Sequence, residues 1–324
     1  MKAIQISHIG DAGVLQIQNL PQPQPGKGEA LVRLKAAGLN FIDIYMRTGY
    51  YPRQLPYTPG LEAAGIVEQV GEGVTEVKPG ERVAYTGSIG SYAEYNVVKA
   101  SQLIPLPKEL SFEQGAAFPL QGMTAHYLLH EYYRVKPGDY VLVHAAAGGV
   151  GLLLVQWLKQ LKAKVIGTVS TEAKAKIASE AGADHVILYT QQDFVEETKK
   201  ITGGQGAAYI IDGVGKSTFT KDLEAARNRG WICIFGSASG PAEPLAPNAL
   251  QAKSLTVSGG SLFNYLNTRE EMMGRAQAVL KGLSEGWLKL RIDQVLSLEQ
   301  AAEAQRLLEG RDTVGKVVLK IGET

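Results

Sequence analysis

The run Ala146-Ala147-Gly148-Gly149-Val150-Gly151 carries the strongest chemical signal in the chain. A glycine turn between a strand and a helix lets the backbone approach a pyrophosphate, and the first amides of the helix face the anion. Tyr140–His144 supplies a short apolar strand before the turn, and Val150–Leu161 reads as a long apolar helix after it. Gly148 permits the close approach, Gly149 and Val150 complete the turn, and Gly151 lets the helix pack on the strand. Ala146 takes the place where the fingerprint usually has its first glycine, which leaves the tight turn to a residue with a β-carbon. A glycine turn alone can merely pack a helix on a strand. The strand before it, the helix after it and the βαβ unit running on favour a dinucleotide.

The second strand of that unit selects the dinucleotide. A site for NAD usually has an acidic residue ~20 positions after the turn, on the ribose 2′-hydroxyl. Here the strand ends Gly167-Thr168-Val169-Ser170-Thr171, with no acid at its tip. Ser170 can bond a phosphate, and Lys174 follows one helical turn later, so the expected cofactor is NADP(H). Lys174 in isolation would read as a solvated helix residue.

Metal chemistry finds little support. Zinc needs about four N, S or O ligands. The chain has one cysteine and five histidines. Cys233 lies in the apolar run Gly230–Gly236 and reads as core. The histidines are scattered as His8, His126, His130, His144 and His185. His126 and His130 share a helix face, but no third ligand is near in sequence, and a surface or interface role is favoured. No metal site is expected.

The elements that must position these residues change character along the chain. The first ~120 residues read as mostly β. Candidate strands are Lys2–Ile6, Leu15–Asn19, Ala30–Gly38, Ala63–Val70, Arg82–Tyr85, Tyr92–Val98 and Leu103–Pro105. Ser111-Phe112-Glu113-Gln114 then has the Ser-x-x-Gln pattern of a helix start. From about Val135 short apolar strands alternate with helices, the pattern of a parallel sheet covered on both faces. The strands are Tyr140–His144, Ala163–Val169, His185–Leu188, Ala208–Ile211, Trp231–Phe235 and Ser254–Ser258. The helices between them are Val150–Leu161, Glu172–Ala181, Asp193–Ile201 and Ser217–Ala226. Two helices, Arg269–Glu285 and Leu298–Leu308, and a strand, Lys316–Ile321, close the chain. The expected fold is α/β: a β-rich domain of residues 1–123 with 264–324, interrupted by a doubly wound dinucleotide-binding domain of residues 124–263.

The bulk numbers are ordinary for a globular protein, with 324 residues, 45% hydrophobic and 20% charged. A formal net charge of +1 gives no reason to expect nucleic acid or an anionic membrane as partner. No stretch approaches the ~18 apolar residues of a membrane span. The N-terminal residues run directly into strand-like sequence, and a cytoplasmic location is expected.

Together these features resemble the medium-chain dehydrogenase/reductase superfamily, and within it the zinc-free quinone oxidoreductases, the zeta-crystallin-like group. The resemblance covers nearly the whole chain. It is carried by Ala37-Gly38-Leu39-Asn40-Phe41-Ile42-Asp43, by Pro59–Val67, by His144–Gly151 and by Gly310–Val318. In zinc-dependent relatives a cysteine stands near Asn40, and a histidine ligand stands where this chain has Leu61. The relatives' four-cysteine structural lobe is absent.

The resemblance implies a GroES-like catalytic domain, a Rossmann domain and a set of site residues. Asn40 matches the asparagine near the nicotinamide, and Thr124 the threonine facing the same ring. Gly148, Gly149 and Val150 match the pyrophosphate turn. Ser170, Lys174 and Tyr189 match the 2′-phosphate and adenosine pocket. Phe235, Gly236 and Ser237 match the segment beside the riboses, and Leu262 and Phe263 the stretch lining the nicotinamide. Arg311 and Lys316 match the C-terminal positions that close over the cofactor. Some of these have plainer readings: Tyr189 as a strand-end aromatic, Phe235 as core, Arg311 as a surface charge.

The reaction expected is hydride transfer from NADPH to a quinone, a planar acceptor that needs no metal to polarise it. Asn40, Tyr45 and Tyr51 are the expected catalytic residues, with the two tyrosines stacking on the acceptor or donating a hydrogen bond to its oxygen. Packing within a loop is the equal alternative for both. The same scaffold reduces the carbon–carbon double bond of enones, enals and enoyl thioesters, which stays open as a second reading. A non-catalytic NADPH-binding protein of the crystallin kind is a third. Relatives pair as homodimers through a sheet edge, and Ser254–Gly259 is the corresponding segment here.

Overall fold

The computed structural model describes residues 1–322; the last two positions of the 264–324 segment lie outside them. In chain order the strands are β1 (Lys2–Gln5), β2 (Gln16–Asn19), β3 (Glu29–Gly38), β4 (Glu62–Val70), β5 (Arg82–Thr86), β6 (Tyr95–Lys99) and β7 (Ile104–Pro105). They continue with β8 (Tyr140–Val143), β9 (Lys164–Val169), β10 (His185–Leu188), β11 (Ala207–Asp212), β12 (Ala226–Ile234) and β13 (Thr256–Gly259). The last two are β14 (Ile292–Ser297) and β15 (Lys316–Lys320). Two compact units divide the chain. One takes Met1–Leu120, Leu266–Ala276 and Leu290–Thr324, and the other Gln121–Tyr265 and Gln277–Lys289.

The first unit is the GroES-like half. Its main sheet runs β14-β15-β3-β4-β5-β7, with β6 also paired to β3. Alternation along β3 buries Val32 and Leu34 in a core with Ile4, Val67, Val83, Val98 and Leu319. The register decides which polar residues meet. Ala37 of β3 stands opposite Ala63 of β4, and Gly38 opposite Val318 of β15. Asn40 therefore lies just past the end of β3, beside Glu62 at the start of β4 and Lys316 at the start of β15.

A helix not expected from the sequence, Phe41–Arg47, follows directly. Its buried face holds Asp43, Ile44, Met46 and Arg47, so two charged residues interrupt the apolar periodicity that would have announced it. Arg47 is fully buried and donates to Gln305 Oε1 at 3.0 Å and Glu309 Oε2 at 2.8 Å. The short edge strand β14 was also not expected. Only Leu296 of its six residues is buried, so it shows no apolar alternation.

The second unit is a parallel sheet in the order β10-β9-β8-β11-β12-β13. Every residue of β11 is buried, as a strand covered on both faces requires. The strand order reverses at β8, so ligands are expected outside the carboxyl ends of β8, β9 and β11. Side-chain caps fix where two of the flanking helices begin. Thr171 Oγ1 accepts from the amide of Lys174 at 3.3 Å, and Asp193 Oδ1 from that of Val195 at 2.8 Å. The helix foreseen from Ser111 has its capping box but spans only Phe112–Gly115; a second helix, Pro119–Tyr127, carries Thr124. Among the described residues no helix is long and apolar enough to cross a membrane.

Candidate active site and dinucleotide site

The glycine turn leaves β8 at His144 and enters the helix Gly149–Gln160, with Gly148 as its N-cap. The left-handed backbone falls on Ala145 (φ 51°), one residue before the position expected to bear the tight turn. Ala146 keeps its methyl because Gly167 in β9 makes room; a β-carbon on Gly167 would come within 2.7 Å of it. The missing first glycine is thus compensated across the sheet.

The remaining glycines have separate duties. A β-carbon on Gly151 would stand 2.2 Å from the Ala145 carbonyl oxygen, and one on Gly149 2.2 Å from the Gln121 amide. Gly151 is closed in by backbone, whereas Gly149 faces the end of a side chain. Gly148 differs: a β-carbon there would meet only the Ala145 oxygen, at 3.2 Å. Its outer side is open. A capping glycine has no side chain to satisfy the first helical amides, so those of Gly149, Val150 and Gly151 are free to face an anion.

Three of the residues expected around a 2′-phosphate gather at the same sheet end. Ser170 follows β9, Tyr189 follows β10, and the Tyr189 amide donates to the Val169 carbonyl at 3.1 Å. The Thr190 hydroxyl donates to the Ser170 carbonyl at 3.0 Å and ties the two strand ends together. Lys174 is half-buried in the first turn of the helix Glu172–Glu180, and Tyr189 is 43% exposed. Phe235, Gly236 and Ser237 leave the carboxyl end of β12, where the Phe235 ring covers Gly213. Leu262, buried, and Phe263, half-buried, follow β13. Thr124 is buried on its helix.

In the first unit Asn40, Glu62 and Lys316 form a closed network. Lys316 Nζ donates to Glu62 Oε2 at 2.5 Å and to Asn40 Oδ1 at 2.8 Å. Asn40 Nδ2 donates to Glu62 Oε2 at 2.9 Å, and the Leu120 amide to Glu62 Oε1 at 2.7 Å. The Lys316 and Glu62 side chains are 2% and 0% exposed, so charge is paired with charge away from water. Asp43 lies beside them. Its Oδ2 accepts from the Asn40 amide at 2.9 Å and the Tyr92 hydroxyl at 3.0 Å. Burial pushes the Asp43 carboxyl up to about 7 despite those hydrogen bonds.

Tyr45 projects from the helix Phe41–Arg47 into an aromatic group. Tyr50 and Tyr51 stack at 5.0 Å, and each meets the Tyr45 ring edge-on at 5.5 Å. Tyr51 is 43% exposed, and partial burial and the neighbouring Tyr50 raise its hydroxyl pKa. Arg311 is an exposed residue in the left-handed region, in the turn after the helix Ala301–Glu309.

Glu62 and Gln121 were not singled out from the sequence. Glu62 had a signal, an acid heading the apolar run Ala63–Val67, but its partner is 254 positions away. Gln121 offered none beyond lying one helical turn before Thr124.

Residues 26–108 match the family model of the alcohol dehydrogenase GroES-like domain, and residues 149–278 that of zinc-binding dehydrogenase. Quinone oxidoreductase 1 of Escherichia coli is 41% identical over 321 residues, covering 98% of each chain. A 2-haloacrylate reductase from Burkholderia is 41% identical over 305 residues, 91% of each chain. Among solved structures, an Escherichia coli quinone oxidoreductase in complex with NADPH superposes with a TM-score of 0.96 at 40% identity, covering 99% of this chain and 100% of that one.

Proposed function

The chain belongs to the quinone oxidoreductases of the medium-chain dehydrogenase/reductase superfamily, and from that membership we propose a zinc-independent hydride transfer from NADPH to a quinone. The observation that carries the cofactor half is the open outer side of Gly148. It lies before three free helical amides, with Ser170, Lys174 and Tyr189 at the adjoining strand ends. These groups fit a pyrophosphate and a 2′-phosphate. When bound, NADPH supplies the hydride. The turn holds the pyrophosphate, Lys174 and Ser170 hold the 2′-phosphate, and Tyr189 covers the adenosine. Thr124, Phe235, Gly236, Ser237, Leu262 and Phe263 line the remainder.

The residues present do not fit zinc. Asn40 and Leu61 stand at two ligand positions, and the Glu62 carboxylate is held by the Leu120 amide, the Asn40 amide and the Lys316 ammonium. Lys316 is thus the resident cation of the buried Glu62 carboxylate, a different duty from contacting the cofactor directly. Polarisation of the acceptor is left to neutral donors. Asn40 is the proposed nicotinamide-side residue, and Tyr45 and Tyr51 the acceptor wall, where a ring stacks and the Tyr51 hydroxyl donates a hydrogen bond. A quinone matches this wall because it is flat and already electron-poor. The partner proposed for the free edge of β13 is a second copy of this chain, and the site of action the cytoplasm.

Steady-state oxidation of NADPH and NADH in parallel, with a quinone as acceptor, tests the cofactor assignment. The wild type should prefer NADPH, and Lys174→Glu should cut the NADPH-to-NADH ratio of kcat/KM about tenfold or more, the value of one charge-assisted hydrogen bond. Equal rates with NADH in the wild type would overturn it.

A further inference from the structure

His144 is the last residue before the glycine turn, and its side chain is buried with both ring nitrogens engaged. Nδ1 lies 2.9 Å from the Thr168 hydroxyl, and Nε2 lies 2.8 Å from Asp222 Oδ1. Phe194 meets the ring edge-on at 4.9 Å. Neither the turn's contact with a pyrophosphate nor the 2′-phosphate pocket uses this histidine, yet it stands between them. β8 and β9 run in register as far as Val143 and Gly167. Beyond that pair the strand ends part, one toward Gly148 and the other toward Ser170 and Lys174. Two hydrogen bonds to Thr168 join them there: the Ala146 amide to its carbonyl at 3.1 Å, and the His144 ring to its hydroxyl at 2.9 Å. Asp222, on the helix Phe219–Ala225, fixes the other side of the ring. Burial opposes a charge on this ring, but the Asp222 carboxylate beside it outweighs burial and raises the His144 pKa.

We propose that His144 is a positioning residue for the dinucleotide: through Thr168 it sets the spacing between the pyrophosphate turn and the strand end carrying Ser170 and Lys174, and so governs the preference for a 2′-phosphorylated cofactor. The proposal rests on the NADPH reading above. A ligand held at both its pyrophosphate and its 2′-phosphate is sensitive to the distance between the two sites. A ligand lacking the 2′-phosphate is not.

Thr168→Val is the variant of choice, because it removes the hydroxyl with little change of shape and leaves the His144–Asp222 pair intact. The expected result is a rise in the KM for NADPH of about tenfold, since misplacement of a holding group costs that much or more. The KM for NADH and the kcat at saturating NADPH should stay as in the wild type. Thr168→Ser, which keeps the hydroxyl, should restore the NADPH value. The double variant His144→Phe with Asp222→Leu replaces the polar pair by apolar side chains and should reproduce the Thr168→Val pattern. A merely structural role would lower Tm in these variants without moving the NADPH-to-NADH ratio. An unchanged ratio in Thr168→Val, in an enzyme whose wild type prefers NADPH, would overturn this proposal alone. A wild type indifferent to the 2′-phosphate would overturn the NADPH reading and this proposal with it.

Discussion

Replacing Gly148 with valine is expected to raise the KM for NADPH on the order of 100-fold while the protein stays folded. The backbone there is extended (φ −78°, ψ 175°), a conformation valine accepts readily. An added β-carbon meets only the Ala145 carbonyl oxygen, at 3.2 Å, which a shift of a few tenths of an ångström relieves. The stability cost should therefore be about 1 kcal/mol, that of losing a good N-cap residue. The open side of Gly148 is where a pyrophosphate must approach the helical amides, and a branched side chain fills it. Gly151→Ala provides the contrast. Its β-carbon would lie 2.2 Å from the same Ala145 oxygen, a clash that a shift of a few tenths of an ångström does not relieve, so Tm should fall. Titration of each variant with NADPH, beside a thermal melt, separates the two effects. Unchanged NADPH affinity in a folded Gly148→Val would mean that the cofactor does not pack on this turn.

The second large effect lies in the first unit. Lys316→Met should destabilise the protein by about 3–5 kcal/mol, because it leaves the Glu62 carboxylate buried without its cation. Asn40 Oδ1 loses its donor in the same change. Most of the loss comes from the stranded charge, so removing that charge should recover much of it. The double variant Glu62→Gln with Lys316→Met is expected to be more stable than Lys316→Met alone. Urea denaturation of the wild type, Glu62→Gln, Lys316→Met and the double variant forms a double-mutant cycle. Additive losses would mean that the pair is not coupled and that Lys316 acts elsewhere. Any fall in kcat should follow the Asn40 amide, which the network holds by both its oxygen and its nitrogen.

The α/β half was largely legible because its strands are covered on both faces. Runs such as residues 141–143 and 207–211 are buried throughout, and two of the helices between them begin at side-chain caps, Thr171 and Asp193. Parallel topology then brings residues far apart in sequence to one sheet end, so Gly148, Ser170 and Tyr189 could be placed by counting strands. The GroES-like half hid more. The helix Phe41–Arg47 turns Asp43 and Arg47 inward, and each bonds to distant partners that no local pattern reveals: Tyr92 for one, Gln305 and Glu309 for the other. The sequence puts the tight turn at Ala146, whereas the left-handed residue is Ala145, and the room that Gly167 makes for Ala146 lies on the next strand, where no local pattern shows it. Lys316 matched a cofactor position by motif, and only the register of β15 against β3 shows the carboxylate it faces.

The relatives divide over the acceptor, since a quinone oxidoreductase and a 2-haloacrylate reductase are both 41% identical to this chain. If Tyr45 and Tyr51 form the acceptor wall as proposed, their exposed aromatic group with Tyr50 offers a flat ring faces to stack on. The most direct measurement is the initial rate of NADPH oxidation by the chelator-treated enzyme, with benzoquinone or naphthoquinone against chloroacrylate and a simple enone. The expected result is a kcat/KM for the quinones at least about tenfold above that for either alkene, undiminished by the chelator. Turnover of an alkene with none of any quinone, or loss of quinone turnover on chelation, would contradict it.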